Sequence, residues 1–151
     1  MSTLKQRLTD DVKVAMLAGD APRVECLRGL KSAILYAEVA AGKREEGLSD
    51  AEVEAVLAKE AKKRQESADL YVQGGSETRA EKELAEKVII EQYLPEQLSA
   101  DDIARVIDAV IIELDANGSQ AMGKVIGEVK KRCGIAADGA VIATLVKEKF
   151  S

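Results

Sequence analysis

The sequence predicts an all-α protein, with a four-helix N-terminal domain followed by a C-terminal domain of three helices. Three observations predict it. Apolar residues recur at three- and four-residue intervals along nearly the whole chain, and no segment alternates with period two for long enough to be a strand. A Ser, Thr or Asp stands before each of these runs, and Gly or Asn-Gly follows most of them, the usual start and stop signals of helices. The composition, 46% apolar and 32% charged but only 3% aromatic, leaves a core of Leu, Ile, Val and Ala. Ala, Leu, Glu and Lys are also among the strongest helix formers.

Thr3 caps a first helix reaching about Ala18, with Leu4, Leu8, Val12, Met16 and Leu17 as its apolar positions and Gly19 as its stop. Asp20 caps a second, in which Pro22 is tolerated in the first turn. Leu27, Leu30, Ile34 and Leu35 form its stripe, and it ends near Gly42. After a polar loop, Ser49-Asp50-Ala51-Glu52 has the spacing of a capping box and opens a third helix to about Val72. Its middle is polar. Lys62 with Glu66 and Glu60 with Arg64 are spaced for ion pairing along the helix. Gly74-Gly75 ends it. Ser76 caps a fourth helix from Glu77 to Tyr93, with Leu84, Val88 and Ile89 facing inward.

Pro95 biases the preceding residue away from helix, so the domains are expected at 1–94 and 95–151. Ser99 caps the fifth helix, with Asp101 and Asp102 in the first turn, where the helix dipole favours acids. Its apolar face is Ile103, Val106, Ile107, Val110, Ile111 and Leu114, and Asn117-Gly118 ends it. Ser119 opens the sixth, with Met122, Val125, Ile126 and Val129 inside, and Gly134 closes it. Asp138 caps the seventh, which carries Val141, Ile142, Leu145, Val146 and Phe150.

Composition narrows the chemistry. The chain has no histidine, which excludes Ser-His-Asp and Cys-His catalysis and a His-bearing zinc site. Two cysteines cannot make a four-Cys site. No catalytic residue, metal site or cofactor is therefore assigned. Cys26 and Cys133 read as small buried apolar residues and reduced thiols. Acidic neighbours such as Glu45-Glu46 and Asp101-Asp102 do not face each other on a helix and read as solvated surface or helix starts. The chain has no apolar run of 18 residues that would span a membrane. Its N-terminus turns polar at once, without a signal-peptide apolar segment. A cytoplasmic protein without membrane attachment is expected.

The net charge of −5 argues against nucleic-acid binding by bulk charge, so any such role needs a local basic patch. The scarcity of aromatics argues against the base-stacking sheets and barrels of many RNA binders. Charge is nevertheless segregated. Pro95 to Gly118 holds one basic and six acidic residues. Ser119 to Ser151 holds six basic residues, Lys124, Lys130, Lys131, Arg132, Lys147 and Lys149, against Glu128, Asp138 and Glu148. Such a cluster is either a solvated face or a phosphate-contacting one. Gly123-Lys124-Val125-Ile126-Gly127 is neither a P-loop nor a dinucleotide fingerprint. Its glycines share one helix face, which permits tight packing of another helix or close approach of an RNA backbone. The second basic cluster, Lys59, Lys62, Lys63 and Arg64, is interleaved with glutamates and reads as intrahelical pairing.

Three segments carry a family resemblance: Tyr93-Leu94-Pro95-Glu96-Gln97-Leu98-Ser99, then Met122-Gly123-Lys124-Val125-Ile126-Gly127, then Ala137-Asp138-Gly139-Ala140-Val141 with Leu145-Val146-Lys147. Together with Leu4, Met16, Arg28 and Lys31-Ser32-Ala33 they resemble the YqeY family over the whole chain. The resemblance implies a helical N-terminal domain and a C-terminal GatB/YqeY-type domain. The latter is similar to the tRNA-engaging tail of the GatB subunit of the amidotransferase that converts Glu-tRNA(Gln) or Asp-tRNA(Asn) to the amidated form. Nothing in the chain resembles that enzyme's catalytic cradle. By resemblance the RNA-facing residues are Gly123, Lys124, Gly127, Lys130, Lys131 and Arg132, with Lys147 added from the basic cluster. The segment before the last helix, Ile135-Ala136-Ala137, departs from the family by its lack of charge. The expected function is a tRNA-binding accessory protein, with aminoacyl-tRNA synthetase or amidotransferase components as further partners and no DNA. The alternatives are a non-catalytic subunit associated with glutamine-dependent carbon–nitrogen ligase activity, and a protein–protein adaptor without RNA.

Overall fold

The computed structural model describes residues 3–151. Among these residues the structure is all-helical, with seven α-helices. They are α1 (Leu4–Leu17), α2 (Ala21–Ala40), α3 (Asp50–Gln73), α4 (Glu77–Glu91), α5 (Ala100–Leu114), α6 (Met122–Cys133) and α7 (Gly139–Phe150). Short 3₁₀ turns, Ser119–Ala121 and Gly134–Ala136, precede α6 and α7. No helix is long and apolar enough to cross a membrane among the described residues. The chain divides into two compact units, Met1–Leu94 and Pro95–Ser151, each with its own hydrophobic cluster.

Local chemistry sets most helix boundaries. The side chains of Thr3, Asp20 and Ser99 accept hydrogen bonds from the N–H groups of Gln6, Arg23 and Asp102. Ser49 and Glu52 form the reciprocal capping box, and Asp138 accepts from Ala140. Each cap satisfies a donor that a helix start would otherwise leave unpaired. Ser76 makes no side-chain cap bond, and Ser119 begins the 3₁₀ turn rather than capping α6. After α1, Gly19 takes φ +70°, a left-handed conformation that costs glycine little. α5 stops earlier than Asn117-Gly118. Asp115 adopts φ 48°, and Ala116 N–H bonds back to the Ile111 carbonyl at 3.0 Å, closing the helix in a Schellman-type turn.

In the first unit, Leu4, Leu8 and Val12 of α1, Leu27, Leu30 and Ile34 of α2, Val53 and Leu57 of α3, and Ile90 of α4 form the core. Several expected inward positions lie outside it. Met16, Leu17, Leu35, Leu84 and Val88 are exposed. On α1 the buried stripe is Leu4, Leu8, Val12 and Ala15, which turns Met16 and Leu17 outward. On α4 the inward residues are Ala80 and Ile90, with Ile89 partly buried against the core. Along the α3–α4 hairpin the buried side chains are the small Ala61, Ala68 and Ala80. Small side chains let the two backbones come close, so the α4 face that carries Ala80 turns inward and Leu84 and Val88 turn out.

Polar groups tie this unit together. Glu38 is buried, 2% exposed. It accepts from Lys5 Nζ at 2.7 Å and from Leu48 N–H at 2.9 Å. Gly47, at φ +76°, passes so near that a Cβ there would lie 3.1 Å from the Glu38 carboxylate. The bond from Lys5, then that from Leu48, holds the Glu38 carboxyl below the usual carboxylate range. Buried Tyr93 donates its hydroxyl to Asp11, and the Arg7 guanidinium lies over its ring at 4.6 Å. Burial, reinforced by the Asp11 bond, pushes the Tyr93 phenol up to about 12. The expected Glu60–Arg64 pair forms at 3.4 Å, and Lys63 also reaches Glu60 at 3.3 Å. Arg64 extends the network across the hairpin to Glu83 and Glu86 of α4, at 3.4 and 3.6 Å.

In the second unit, Ile103, Ile107 and Val110 of α5 meet Val125, Val129 and Cys133 of α6 and Ile142 and Val146 of α7. Met122, Ile126, Leu145 and Phe150 pack at its edge. Leu114 and Val141, expected on the inner face, are exposed. Leu98 N–H donates to the Ala136 carbonyl at 2.8 Å and Gln97 Nε2 to the Ile135 carbonyl at 3.0 Å. These bonds bring the Pro95–Ser99 segment against the turn before α7.

Candidate nucleic-acid interface

α6 is built so that its core contacts dictate what it shows outside. Val125, Val129 and Cys133 are buried and recur every four residues. On a 3.6-residue helix that arrangement turns Gly123, Lys124, Gly127 and Lys131 toward the opposite side. All four are exposed. A Cβ added at Gly123 or Gly127 would meet nothing within 4 Å. The glycines therefore do not admit another helix of this unit, which corrects the tight-packing reading. A mid-helix Gly such as Gly127 costs about 1 kcal/mol relative to Ala, and among the described residues no packing contact offsets it.

The six basic residues of this end of the chain fall into different roles. Arg132 bonds to Glu128 at 3.1 Å and to Glu113 of α5. The hydrogen bond from Arg132 holds the Glu113 carboxyl below its usual range, and both acids raise the Arg132 pKa. Lys149 pairs with Asp108 of α5 at 2.9 Å. These two cations fasten α6 and α7 to α5. Lys130 lays its stem across the start of α7, where a Cβ on Gly139 would lie 3.0 Å from its Cε. Lys124, Lys131 and Lys147 are exposed and make no ion pair among the described residues. The structure thus brings Gly123, Lys124, Gly127 and Lys131 onto one face. It turns Arg132 toward α5 and places Lys147 on the exposed side of α7.

Helix electrostatics separate these lysines further. Lys130, Lys131 and Arg132 occupy the last turn of α6, and Lys147 and Lys149 that of α7. There the terminal carbonyls favour cations, which by itself accounts for basic residues. Lys124 stands in the first turn of α6, where the dipole disfavours a cation and where no acidic residue is present. Its position has no local stabilising reason. It borders a cleft of about 390 Å³ lined also by Asp115, Asn117 and Gln120.

The other candidates resolve simply. Both cysteines are buried. Burial, with help from Glu86, pushes the Cys26 thiol up to about 11, and burial also raises Cys133, so neither is a ready thiolate at neutral pH. Asp101 and Asp102 lie in the first turn of α5, and Asp102 pairs with Arg105 at 3.6 Å. Among the described residues no group of three or more Cys, Asp and Glu is placed to hold a metal ion. The buried Glu38 was not singled out from the sequence, although a signal was present. Leu30, Ile34 and Glu38 follow at four-residue spacing, which places a carboxylate on the core stripe.

A family model described as Yqey-like protein matches residues 5–150. No curated protein matches the chain. With that match spanning nearly every residue, and with the motif segments falling on the stretch after α4, on the first half of α6 and on α7, the chain belongs to the YqeY family.

Proposed function

We propose that this chain is a tRNA-binding accessory protein that docks the RNA backbone on the outward face of α6 and has no catalytic site of its own. The observation that carries the reading is the open glycine face between unpaired lysines. Gly123 and Gly127 leave space that no described residue uses, and Lys124 and Lys131 flank it without ion pairs among the described residues. A phosphate backbone can approach closely over two glycines, while ammonium groups on either side neutralise its charge. The resemblance of this unit to the tRNA-engaging tail of GatB supports tRNA as the polyanion, with amidotransferase or synthetase components as co-partners. Recognition proceeds through shape and phosphates, which position an RNA without reading base edges. The overall charge of −5 confines binding to this patch and makes it strongly salt-dependent.

Fluorescence anisotropy with labelled tRNA across a salt series tests the reading. Replacing Lys124, Lys131 and Lys147 by Ala lowers the slope of log K against log salt by about 2 to 3, since each lost phosphate contact removes about 0.9. Gly127→Leu blocks the approach without altering charge and weakens binding, while the helix stays folded. Unchanged affinity and slope in both variants sink the proposal. Arg132 is left intact in this test because its removal would also unpair Glu113.

A further inference from the structure

The first unit carries a surface that RNA docking on α6 does not use. α2 buries Leu27, Leu30, Ile34 and Glu38, yet it shows a second apolar stripe outside. Leu35 and Val39, 48 and 56% exposed, lie one turn apart on one side of the helix, and Tyr36, 80% exposed, adjoins them at an angle. Beside them runs a groove between α1 and α2 of about 310 Å³, floored by Leu8, Ile34 and Leu35 and edged by Thr9, Lys31 and Ser32. A few apolar side chains fill such a volume.

Of the charged residues that line the groove, Lys5 and Glu38 pair with each other and Lys31 makes no ion pair among the described residues. Lys13 lies one turn beyond Thr9 on α1, and Arg28 one turn before Ser32 on α2. With Lys31 they are exposed, and none makes an ion pair among the described residues. Arg28 instead rests its guanidinium on the Met16 sulfur at 3.5 Å. Lys5, also at the groove, is neutralised by Glu38, whose carboxylate is in turn covered by Lys5 and Leu48. An apolar floor with a cationic rim, in a chain of charge −5, fits an occupant that is apolar on one side and acidic at its flanks. The concave shape suits a helix ridge rather than a flat membrane. The aliphatic Leu35 and Val39 suit side chains rather than phosphates.

We propose that the α1–α2 groove docks an acidic amphipathic helix of a partner protein. The helix sets its apolar ridge against Leu35 and Val39 and its carboxylates against Lys13, Arg28 and Lys31, in the helix-in-groove mode.

The probe is a labelled synthetic helix of about 20 residues with Leu at helical spacing and Glu on its flanks, compared with the same peptide carrying Lys on its flanks. Anisotropy with the 151-residue chain is expected to show the acidic peptide binding at least about tenfold tighter. Leu35→Glu with Val39→Glu abolishes that binding. Because both side chains are exposed, circular dichroism stays unchanged. Arg28→Glu with Lys31→Glu reverses the preference toward the basic peptide. Equal binding of the two peptides, no binding, or binding indifferent to these variants overturns the proposal. It is equally overturned if the acidic peptide fails while the Leu35 and Val39 variants abolish self-association in sedimentation, binding to anionic vesicles or binding to poly(U).

Discussion

The two units are both helical, but they are held together by different physics. The first draws polar groups under its surface: Glu38 on Lys5 and Leu48, Tyr93 on Asp11, and Arg64 among three glutamates. Among the described residues the buried charged side chain is Glu38. The second closes its core with Ile, Val and one Cys and keeps every charge at the surface. A core of that kind is insensitive to pH and leaves surface cations to other tasks. Two of the six at its basic end fasten helices, Arg132 to Glu113 and Lys149 to Asp108, while Lys124 and Lys131 on the open α6 face are exposed. Buried polar anchors thus support the first unit, whereas the second combines an apolar core with ion pairs at its surface.

The comparison breaks most visibly where the aliphatic core is opened. Ile107 is fully buried, and Ile107→Ala is expected to cost about 2–5 kcal/mol in chemical denaturation, with no change in acid sensitivity. Next is Glu38→Gln, expected to lose about 1.5–3 kcal/mol because a charge-assisted bond is weakened in a buried site. Its pH signature has a definite sign. The folded-state pKa of Glu38 is depressed, so its contribution is present above the unfolded carboxylate value of about 4.5 and is lost as pH falls through the lower folded value. Acid titration of stability should flatten in the variant. An unaltered acid limb would show that the first unit does not depend on this anchor.

Of similar or smaller size is Ala68→Leu. This side chain is 1% exposed between α3 and α4, and enlarging it should cost about 1–3 kcal/mol by overpacking. A neutral result would mean that the hairpin does not close on its alanines. Tyr93→Phe removes the Asp11 bond and should cost about 0.5–1.5 kcal/mol at neutral pH. Because the folded phenol is raised to about 12, the wild type should lose stability between about pH 10 and 12. The Phe variant should lack that increment. The smallest effect sharpens the other side of the comparison. Gly127→Ala on the open face of α6 should stabilise the chain by about 0.4–1 kcal/mol, measurable as a raised melting temperature. Destabilisation there would reveal a packing role that the structure does not contain.

Legibility from sequence followed the same division. The core residues of α5, α6 and α7 stand out as strong stripes of Ile and Val, and Val125, Val129, Ile142 and Val146 are buried as expected. α4 offers two competing faces, and Leu84 and Val88 are turned out while Ala80 and Ile90 are buried. The basic cluster was visible, but its sorting was not. Arg132 and Glu113 are 19 residues apart, and nothing in local spacing says that they meet.

What the sequence alone determined is the part that depends on near neighbours. This comprises the all-helical class, the caps at Thr3, Asp20, Ser49, Ser99 and Asp138, and the YqeY motifs from Tyr93 onward. Helix formation and capping are satisfied within about four residues, so they can be read in one dimension. Tertiary structure decided which face of each helix is inside, which cations are neutralised and where Gly123 and Gly127 look out on open space. Those outcomes depend on which helix lies alongside, and only the packed chain brings distant charges and surfaces within reach of one another.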